Sequence, residues 1–222
     1  MAGQARAISA VAAHSVTGDV YVACHALRVR EFDLDAVLQR KPALLLVDEN
    51  PYVALGISNQ ASLLQAKGDY AAAEPLYRES LAMRRKLLGD EHWLTLNTAS
   101  NLGSLLRGMG RPEETIALLA PLEPAERRTF TGGNALRLGR FLTHLGRSRG
   151  DTGEFEAAEA NLTEAHAIVL DAKVARAQDR ADVLTSLVEL YEAWHAAEPD
   201  KGYDVKAAQW RTLLPKDPPS KP

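Results

Sequence analysis

The strongest constraint in this sequence is the segment at residues 57–88, which reads ISNQASLLQAKGDYAAAEPLYRESLAMRRKLL. Two apolar runs with helical spacing are separated once, by a Lys-Gly-Asp turn. Because that spacing places each run on one face of a helix, the segment predicts a hairpin of two helices. Small residues such as Ala61 alternate with large ones such as Tyr77, so one helix can pack closely on the other. A lone hairpin cannot bury both of its faces and therefore needs further copies.

Copies of the hairpin follow along the chain. Residues 59–61 (Asn-Gln-Ala) align with residues 101–103 (Asn-Leu-Gly) at a shift of 42 residues. In the third copy, Leu138-Gly139 is aligned with Leu102-Gly103. The fourth copy comprises SLVELYEAW and VKAAQWRTLL. On this alignment the last two hairpins each carry a seven-residue extension, RSRGDTG or AAEPDKG, whose Gly, Pro and Asp residues predict longer loops.

The second copy departs from the pattern. Its second helix is expected to end near Pro121 or Pro124, and the linker at residues 125–135 is expected to be irregular. Aromatic residues make up only 6% of the chain, while Ala and Leu are abundant, which favours helix over sheet. The predicted fold class is therefore all-α, a solenoid of about four helical hairpins. The predicted organisation is an N-terminal segment at 1–49, helical repeats at 50–214 and a disordered Pro-rich tail at 215–222.

The N-terminal segment is expected to be a short segment that is irregular or partly extended. Its candidate elements are a helix at 5–15, a strand at 19–24, a helix at 33–39 and a strand at 44–49.

The candidate strand at 44–49 is apolar and ends in Asp48-Glu49, which is the pattern of a Walker B element, whose acid holds Mg²⁺ or orients water. Residues 32–49 resemble a stretch in the nucleotide-binding N-terminal domain of potassium-responsive sensor histidine kinases, which makes Asp48 and Glu49 weak candidates for cofactor binding. No G-x-x-x-x-G-K-[ST] loop is present to hold phosphates. The favoured interpretation is a cap whose apolar run packs on the first repeat.

Residues 50–214 resemble tetratricopeptide repeats of the long, 42-residue, kinesin-light-chain-like type. The first copy carries the residues of that pattern: Ala61, Leu64, Gly68, Tyr70, Ala73, Tyr77 and Ser80. The C-terminal stretch ELYEAWHAAEPDKGYDVKAAQWRTLLP resembles the end of bacterial Ser/Thr protein kinases fused to such repeats, although no kinase motif is present. The resemblance implies a right-handed solenoid that is not an enzyme and that binds a protein segment in a concave groove lined by the first helices.

The family alignment also implies which residues face that groove. They are Asn59, Ser62, Asn101, Arg107, Arg137, Arg140 and His144. An Asn side chain offers both a donor and an acceptor, which suits a peptide backbone. The arginines make the middle of the groove basic and favour a partner with acidic side chains or a free C-terminus. The alternatives are a regulatory or C-terminal part of a bacterial Ser/Thr kinase signalling protein, or a nucleotide-binding remnant of a sensor kinase.

Composition bears on the remaining classes of function. The net charge of −3 and the pI near 6.1 give no reason to expect a nucleic-acid partner. No apolar run approaches the roughly 18 residues of a membrane-spanning helix. The single cysteine rules out an internal disulfide, and the cytoplasm is the expected location. The six histidines lack zinc-site spacing, so neither a metal nor another cofactor is predicted.

Overall fold

The computed structural model describes residues 11–14, 21–24 and 51–215. The last of these ranges consists of helices joined by short turns, so the predicted all-α class is confirmed there. Its α-helices are α1 (Pro51–Ala66), α2 (Tyr70–Leu88), α3 (Trp93–Gly108), α4 (Pro112–Leu119), α5 (Glu123–Thr129), α6 (Ala135–Asp151), α7 (Phe155–Asp171), α8 (Ala177–Ala197) and α9 (Tyr203–Arg211).

The two N-terminal ranges are short strands, β1 (Val11–His14) and β2 (Tyr21–Cys24), which pair in antiparallel fashion. The strand predicted at 19–24 is confirmed over β2. The helix predicted at 5–15 is wrong over β1, because that segment pairs its backbone with the β-branched, aromatic strand β2. The predicted helix at 33–39 and the Walker-B-like strand ending in Asp48-Glu49 lie outside the described residues.

The first hairpin consists of α1 and α2, as residues 57–88 predict. Gly68 makes the turn with φ of +84°, a conformation that glycine adopts without steric cost. The Asp69 carboxylate then accepts a hydrogen bond from the Ala72 amide at 3.1 Å and so caps α2. Ala61 and Tyr77, which the spacing placed on the facing sides of the two helices, are both buried.

The repeat period continues through the third hairpin, since α1, α3 and α6 begin 42 residues apart. A Cβ atom on Gly103 would lie 2.7 Å from Leu119, and one on Gly146 would lie 2.8 Å from Leu162. Gly146 is therefore the structural counterpart of Gly103. The expected alignment through Gly139 is wrong by two helical turns, because Gly139 makes a separate close contact with the end of α7.

The seven-residue extension expected in the third hairpin is also wrong. Helix α6 runs on to Asp151, so most of RSRGDTG is helical, and only residues 152–154 separate α6 from α7. Gly150 lies within α6 where a Cβ atom would be 3.3 Å from Leu190, so this glycine allows close packing of α8 rather than a loop. Five residues, 198–202, separate α8 from α9.

The second hairpin has a bent second helix. Helix α4 ends at Leu119, a 3₁₀ turn follows at Ala120–Leu122, and α5 continues from Glu123. Two prolines, at positions 121 and 124, remove backbone donors here, which explains the early end of α4 that the sequence predicted. The irregular linker expected at 125–135 is only partly correct, because α5 extends to Thr129 and a second 3₁₀ turn occupies Gly132–Asn134.

The core follows the stack of hairpins. One buried apolar cluster extends from α1 to α8 and includes Leu96, Leu102 and Phe141. A second cluster joins α7, α8 and α9, where the Trp194 ring stacks on Tyr203 with centroids 4.2 Å apart. Aromatic side chains thus hold the short last helix, α9, against the C-terminal half of α8.

Candidate protein-binding site

The groove residues predicted from the first helices do not all lie together. Four of them, Asn101, Arg137, Arg140 and His144, line one small cavity between α3 and α6, with a volume of about 70 Å³. Its remaining lining residues are Asn97, Ser100, Glu126 and Phe130. We call this cavity the α3–α6 pocket.

The other three predicted residues lie away from the pocket. Asn59 is exposed on α1. The Ser62 hydroxyl lies 2.8 Å from the Tyr77 hydroxyl and donates to the Ser58 carbonyl at 3.0 Å, so it takes part in the first hairpin. Arg107, near the end of α3, lies 2.6 Å from the Asp151 carboxylate. Ser62 and Arg107 therefore have structural partners of their own.

Asn59 and Asn101 nevertheless share one register with His144. Asn59 and Asn101 are 42 residues apart, and His144 follows Asn101 at the 43-residue step that relates Gly103 to Gly146. The first helices of the three hairpins thus carry a polar side chain at the same position. The Asn101 side chain has no hydrogen-bond partner among residues 51–215, so its amide is available to a ligand.

Arg137 lies at the rim of the pocket. Its Nη1 donates to the Asn97 side-chain oxygen at 2.9 Å. Its guanidinium also lies 5.2 Å from the ring centre of Trp93 and 5.9 Å from that of Phe130. The faces of the two aromatic rings attract the positive charge of Arg137 and hold its guanidinium in place. Among the described residues, this guanidinium forms no ion pair with a carboxylate.

Arg140 has a different role, because it joins α6 to α8. Its Nε and Nη2 donate to the two carboxylate oxygens of Asp179 at 2.8 and 3.0 Å. Asp179 also accepts from the Arg176 backbone amide at 2.9 Å and so caps α8. Burial raises the pKa of Asp179, but the hydrogen bonds from Arg140 and Arg176 outweigh it and leave that pKa below its ordinary value.

His144 is neutral in this setting. Burial lowers its pKa to about 4, and the positive charges of Arg147, Arg107 and Arg140 act in the same direction. A neutral imidazole offers one donor and one acceptor to a ligand, and it adds no charge of its own at neutral pH.

Glu126 is the titratable residue in the pocket that the sequence did not suggest. It is 1% exposed, and its Oε2 has no hydrogen-bond partner among the described residues. Burial raises the pKa of its carboxyl to about 8, and the charge of Arg137 offsets only part of that effect. At neutral pH the side chain is therefore mainly a neutral carboxylic acid.

Glu126 occupies a position that is buried in each of the first three hairpins. Arg84 lies 42 residues earlier, at the same position of the first hairpin, and is also 1% exposed. Its Nη1 donates to the Leu94 carbonyl at 2.8 Å and to the Thr98 hydroxyl. Val169 occupies the same position in the third hairpin, at the 43-residue step that relates Gly103 to Gly146, and is 2% exposed. We call this position the floor position, because in all three hairpins it is buried on the second helix.

The fourth hairpin is more acidic on its first helix, but its acids are paired. Glu189 lies 3.5 Å from Arg147, and Glu192 contacts Arg211. Among residues 51–215 and the two strands, no helix is both long and apolar enough to cross a bilayer. The same residues contain no group of three or more His, Cys, Asp or Glu side chains placed to hold a metal ion.

Comparison with known proteins agrees with the fold. Residues 52–120 match the tetratricopeptide repeat family model. No curated protein matches the sequence.

Solved structures extend the likeness beyond those residues. A Podosopora anserina protein described as a kinesin light chain, with nearly identical TPR-like repeats, is 24% identical, with a TM-score of 0.57 over 77% of this chain and 79% of that one. A single-substitution variant of that protein gives a TM-score of 0.58 at the same identity, over 77% and 78%. BtubC (BKLC) from P. vanneervenii is 16% identical, with a TM-score of 0.59 over 81% and 73%. The helical part of this chain thus has the fold of a tetratricopeptide-repeat-like helical solenoid.

Proposed function

We propose that this chain is a non-enzymatic scaffold that binds a segment of a partner protein along the exposed face of its first helices. Tetratricopeptide repeats generally mediate protein–protein interaction, and residues 52–120 match that family. The observation that carries the proposal is the α3–α6 pocket, where Asn101 and Arg137 present donors without a carboxylate partner among the described residues.

The chemistry of the pocket favours an anionic group on the partner. Arg137 and Arg140 both line it, while its one acidic residue, Glu126, is mainly neutral at pH 7. A partner with acidic side chains or a free C-terminus would satisfy those donors through charge-assisted hydrogen bonds. We place this interaction in the cytoplasm. A role beside a bacterial kinase, or Mg²⁺-nucleotide binding by Asp48 and Glu49, rests on the sequence resemblances alone.

The test is quantitative capture with the full chain as bait. Asn101→Ala and Arg137→Gln each remove a pocket donor, and we expect them to weaken retention of genuine partners about tenfold or more. Asn134→Ala and Arg180→Gln are matched controls on exposed residues outside the pocket. Proteins lost with the pocket variants but retained with the controls would support the proposal. Equal capture by all four variants would rule out this face as the binding site.

Arg140 is left out of the capture experiment for a structural reason. Changing it would release Asp179, which caps α8, and a loss of binding would then report on the stability of the last hairpin. Helical content by circular dichroism should stay the same in all four variants, because none of the chosen residues is buried.

A further inference from the structure

Glu126 lines the α3–α6 pocket as a buried carboxyl with an unsatisfied oxygen. Native proteins pair nearly all buried polar atoms, since an unpaired one loses its hydration without compensation. The bend in the second hairpin, from Ala120 to Leu122, still leaves Glu126 buried on α5. Seven other buried side-chain atoms among the described residues also lack a hydrogen-bond partner, but Glu126 Oε2 is the one whose residue lines the α3–α6 pocket, and this location favours a ligand that completes the site.

The groups around Glu126 define what that ligand can be. Helix α3 contributes Asn97, Ser100 and Asn101, none of which titrates. Helix α6 contributes Arg137, Arg140 and His144. The charged residues on α5 itself, Glu123, Arg127 and Arg128, are outside the lining, and the first two pair with each other at 2.8 Å.

The charge balance of the pocket is therefore close to one positive charge. The Arg140 charge is neutralised by Asp179. The Arg137 guanidinium contacts an amide and two aromatic rings, and the carboxyl that its charge acts on, that of Glu126, is mainly neutral at pH 7. A singly charged anion balances one guanidinium. A doubly charged phosphate would carry surplus negative charge into a buried site, and an ammonium group would face two guanidinium groups.

We propose that the α3–α6 pocket binds one carboxylate group of the partner, with Glu126 entering as the neutral acid whose O–H donates to it. Arg137 and Asn101 donate to the other carboxylate oxygen. This inference rests on the proposed function and names the group that the pocket recognises. A volume of about 70 Å³ accommodates a carboxylate and the carbon that bears it.

The arrangement makes recognition dependent on pH in a defined direction. An ionised Glu126 cannot donate and repels the incoming carboxylate, so affinity should be highest below pH 7 and fall as the pH rises through about 8. His144 does not titrate in this range, because its pKa is near 4. Glu126 is therefore the group in the pocket whose ionisation is expected to change over this range.

The test uses small probes on the full chain and does not require the natural partner. N-acetylglycine supplies a terminal carboxylate. The α-methylamide of N-acetylaspartic acid, in which only the side-chain acid is free, supplies a side-chain carboxylate. Methylammonium supplies a cation. The ¹³C shift of the Glu126 carboxyl and the Asn101 side-chain amide signals report occupancy. We expect a carboxylate probe to move both signals and to raise the pKa of Glu126, since binding favours its protonated form.

Two variants separate the hydrogen-bond donor of the Glu126 side chain from its volume. Glu126→Gln keeps a donor at every pH, so it should bind the carboxylate probe at pH 7 about as well as wild type and lose the decline between pH 7 and 9. Glu126→Met keeps the volume but has no donor, and its affinity should fall about tenfold or more. Thermal melts of both variants control for folding.

Three results would overturn the inference: methylammonium occupying the pocket in place of a carboxylate, Glu126→Gln abolishing binding, or no shift at about 100 mM carboxylate probe, a concentration that suffices for even weak fragments. The outcome is separable from that of the capture experiment. If partner capture depends on Asn101 but the carboxylate probes cause no shift, the scaffold proposal stands and carboxylate binding in the pocket is ruled out. If the carboxylate probes shift the signals but no captured partner depends on Asn101, carboxylate binding stands and the scaffold proposal is ruled out.

Discussion

Arg140 on α6 holds Asp179 on α8 through two parallel hydrogen bonds, 2.8 and 3.0 Å long, so the third and fourth hairpins are joined across their first helices. Asp179 is only 6% exposed on its side chain, while that of Arg140 is 41% exposed. Planar, two-point geometry of this kind is the strongest form of an arginine–carboxylate contact. A residue expected to read the partner is thus engaged in positioning the last repeat.

We expect Asp179→Asn to destabilise the chain by about 2 kcal/mol, because the change breaks a largely buried pair and weakens the cap of α8. Part-exposure of Arg140 keeps the loss below that of a fully buried pair. Urea unfolding followed by circular dichroism measures it. Asp171→Asn, at an exposed aspartate, is the matched control and should change stability little. Equal midpoints for the two variants would contradict the structural role of the pair.

Acid should remove the same contribution. The folded pKa of Asp179 lies below its ordinary value, so its stabilising effect is complete above the unfolded pKa of about 4 and is lost as pH falls through the folded pKa. The stability gap between wild type and Asp179→Asn should therefore be constant from pH 5 to 7 and close below pH 4. A gap that persists at pH 2 would show that the carboxylate charge is not what stabilises the contact.

The pH dependence for Glu126 has the opposite sign. Its folded pKa, about 8, lies above the unfolded value of about 4.3, so wild-type stability should fall as pH rises between those values. Glu126→Gln stays neutral and should be more stable than wild type at pH 8, by an amount on the order of a few kcal/mol. The two proteins should be similar at pH 4. Parallel unfolding curves at pH 4, 6 and 8 measure the difference, and a constant offset would show that Glu126 is ionised in the folded protein.

Helix packing at the glycines gives a prediction that does not involve charge. Gly146→Ala would bring a Cβ atom 2.8 Å from the branched Cγ of Leu162, so we expect a loss of about 1–3 kcal/mol. Gly103→Ala would bring a Cβ atom 2.7 Å from Cδ1 and 3.0 Å from Cγ of Leu119, which is fully buried, so we expect a loss of similar size.

Gly56→Ala is the control for those glycine changes. It lies inside α1 with no atom within 4 Å of the new Cβ, so it should stabilise the chain by about 0.5–1 kcal/mol. The order of unfolding midpoints in urea is the measurement. If Gly146→Ala unfolded later than Gly56→Ala, the close approach of α6 and α7 would be wrong.

The fold was predictable from sequence where a repeat carries its whole pattern. In residues 57–88 the turn, the cap and the buried faces follow from local residue types, and the shift of 42 residues extends them to the second copy. The third copy was misaligned because α6 contains two glycines, Gly139 and Gly146, that both pack against α7. A Leu-Gly pair occurs at both positions of α6, so the sequence alone does not show which glycine corresponds to Gly103.

The site was predictable only in part. Helical periodicity places Asn101 and His144 on an outward face, but it cannot tell whether an outward arginine meets a partner or a neighbouring helix, as Arg140 does. Glu126 was missed because it lies on a second helix, in a segment that the prolines made look like a linker. Its burial arises from the packing of three helices, which no local pattern contains.

The floor position holds a cation at Arg84, an acid at Glu126 and a hydrocarbon at Val169, each at least 98% buried, while the hairpins around it keep one architecture. The same buried position of the helical hairpin thus accepts a basic, an acidic or an apolar side chain. A substitution at this position changes the charge buried inside the stack while the solvent-facing residues stay the same. Comparison of the surface residues alone would therefore miss a difference in charge of this kind.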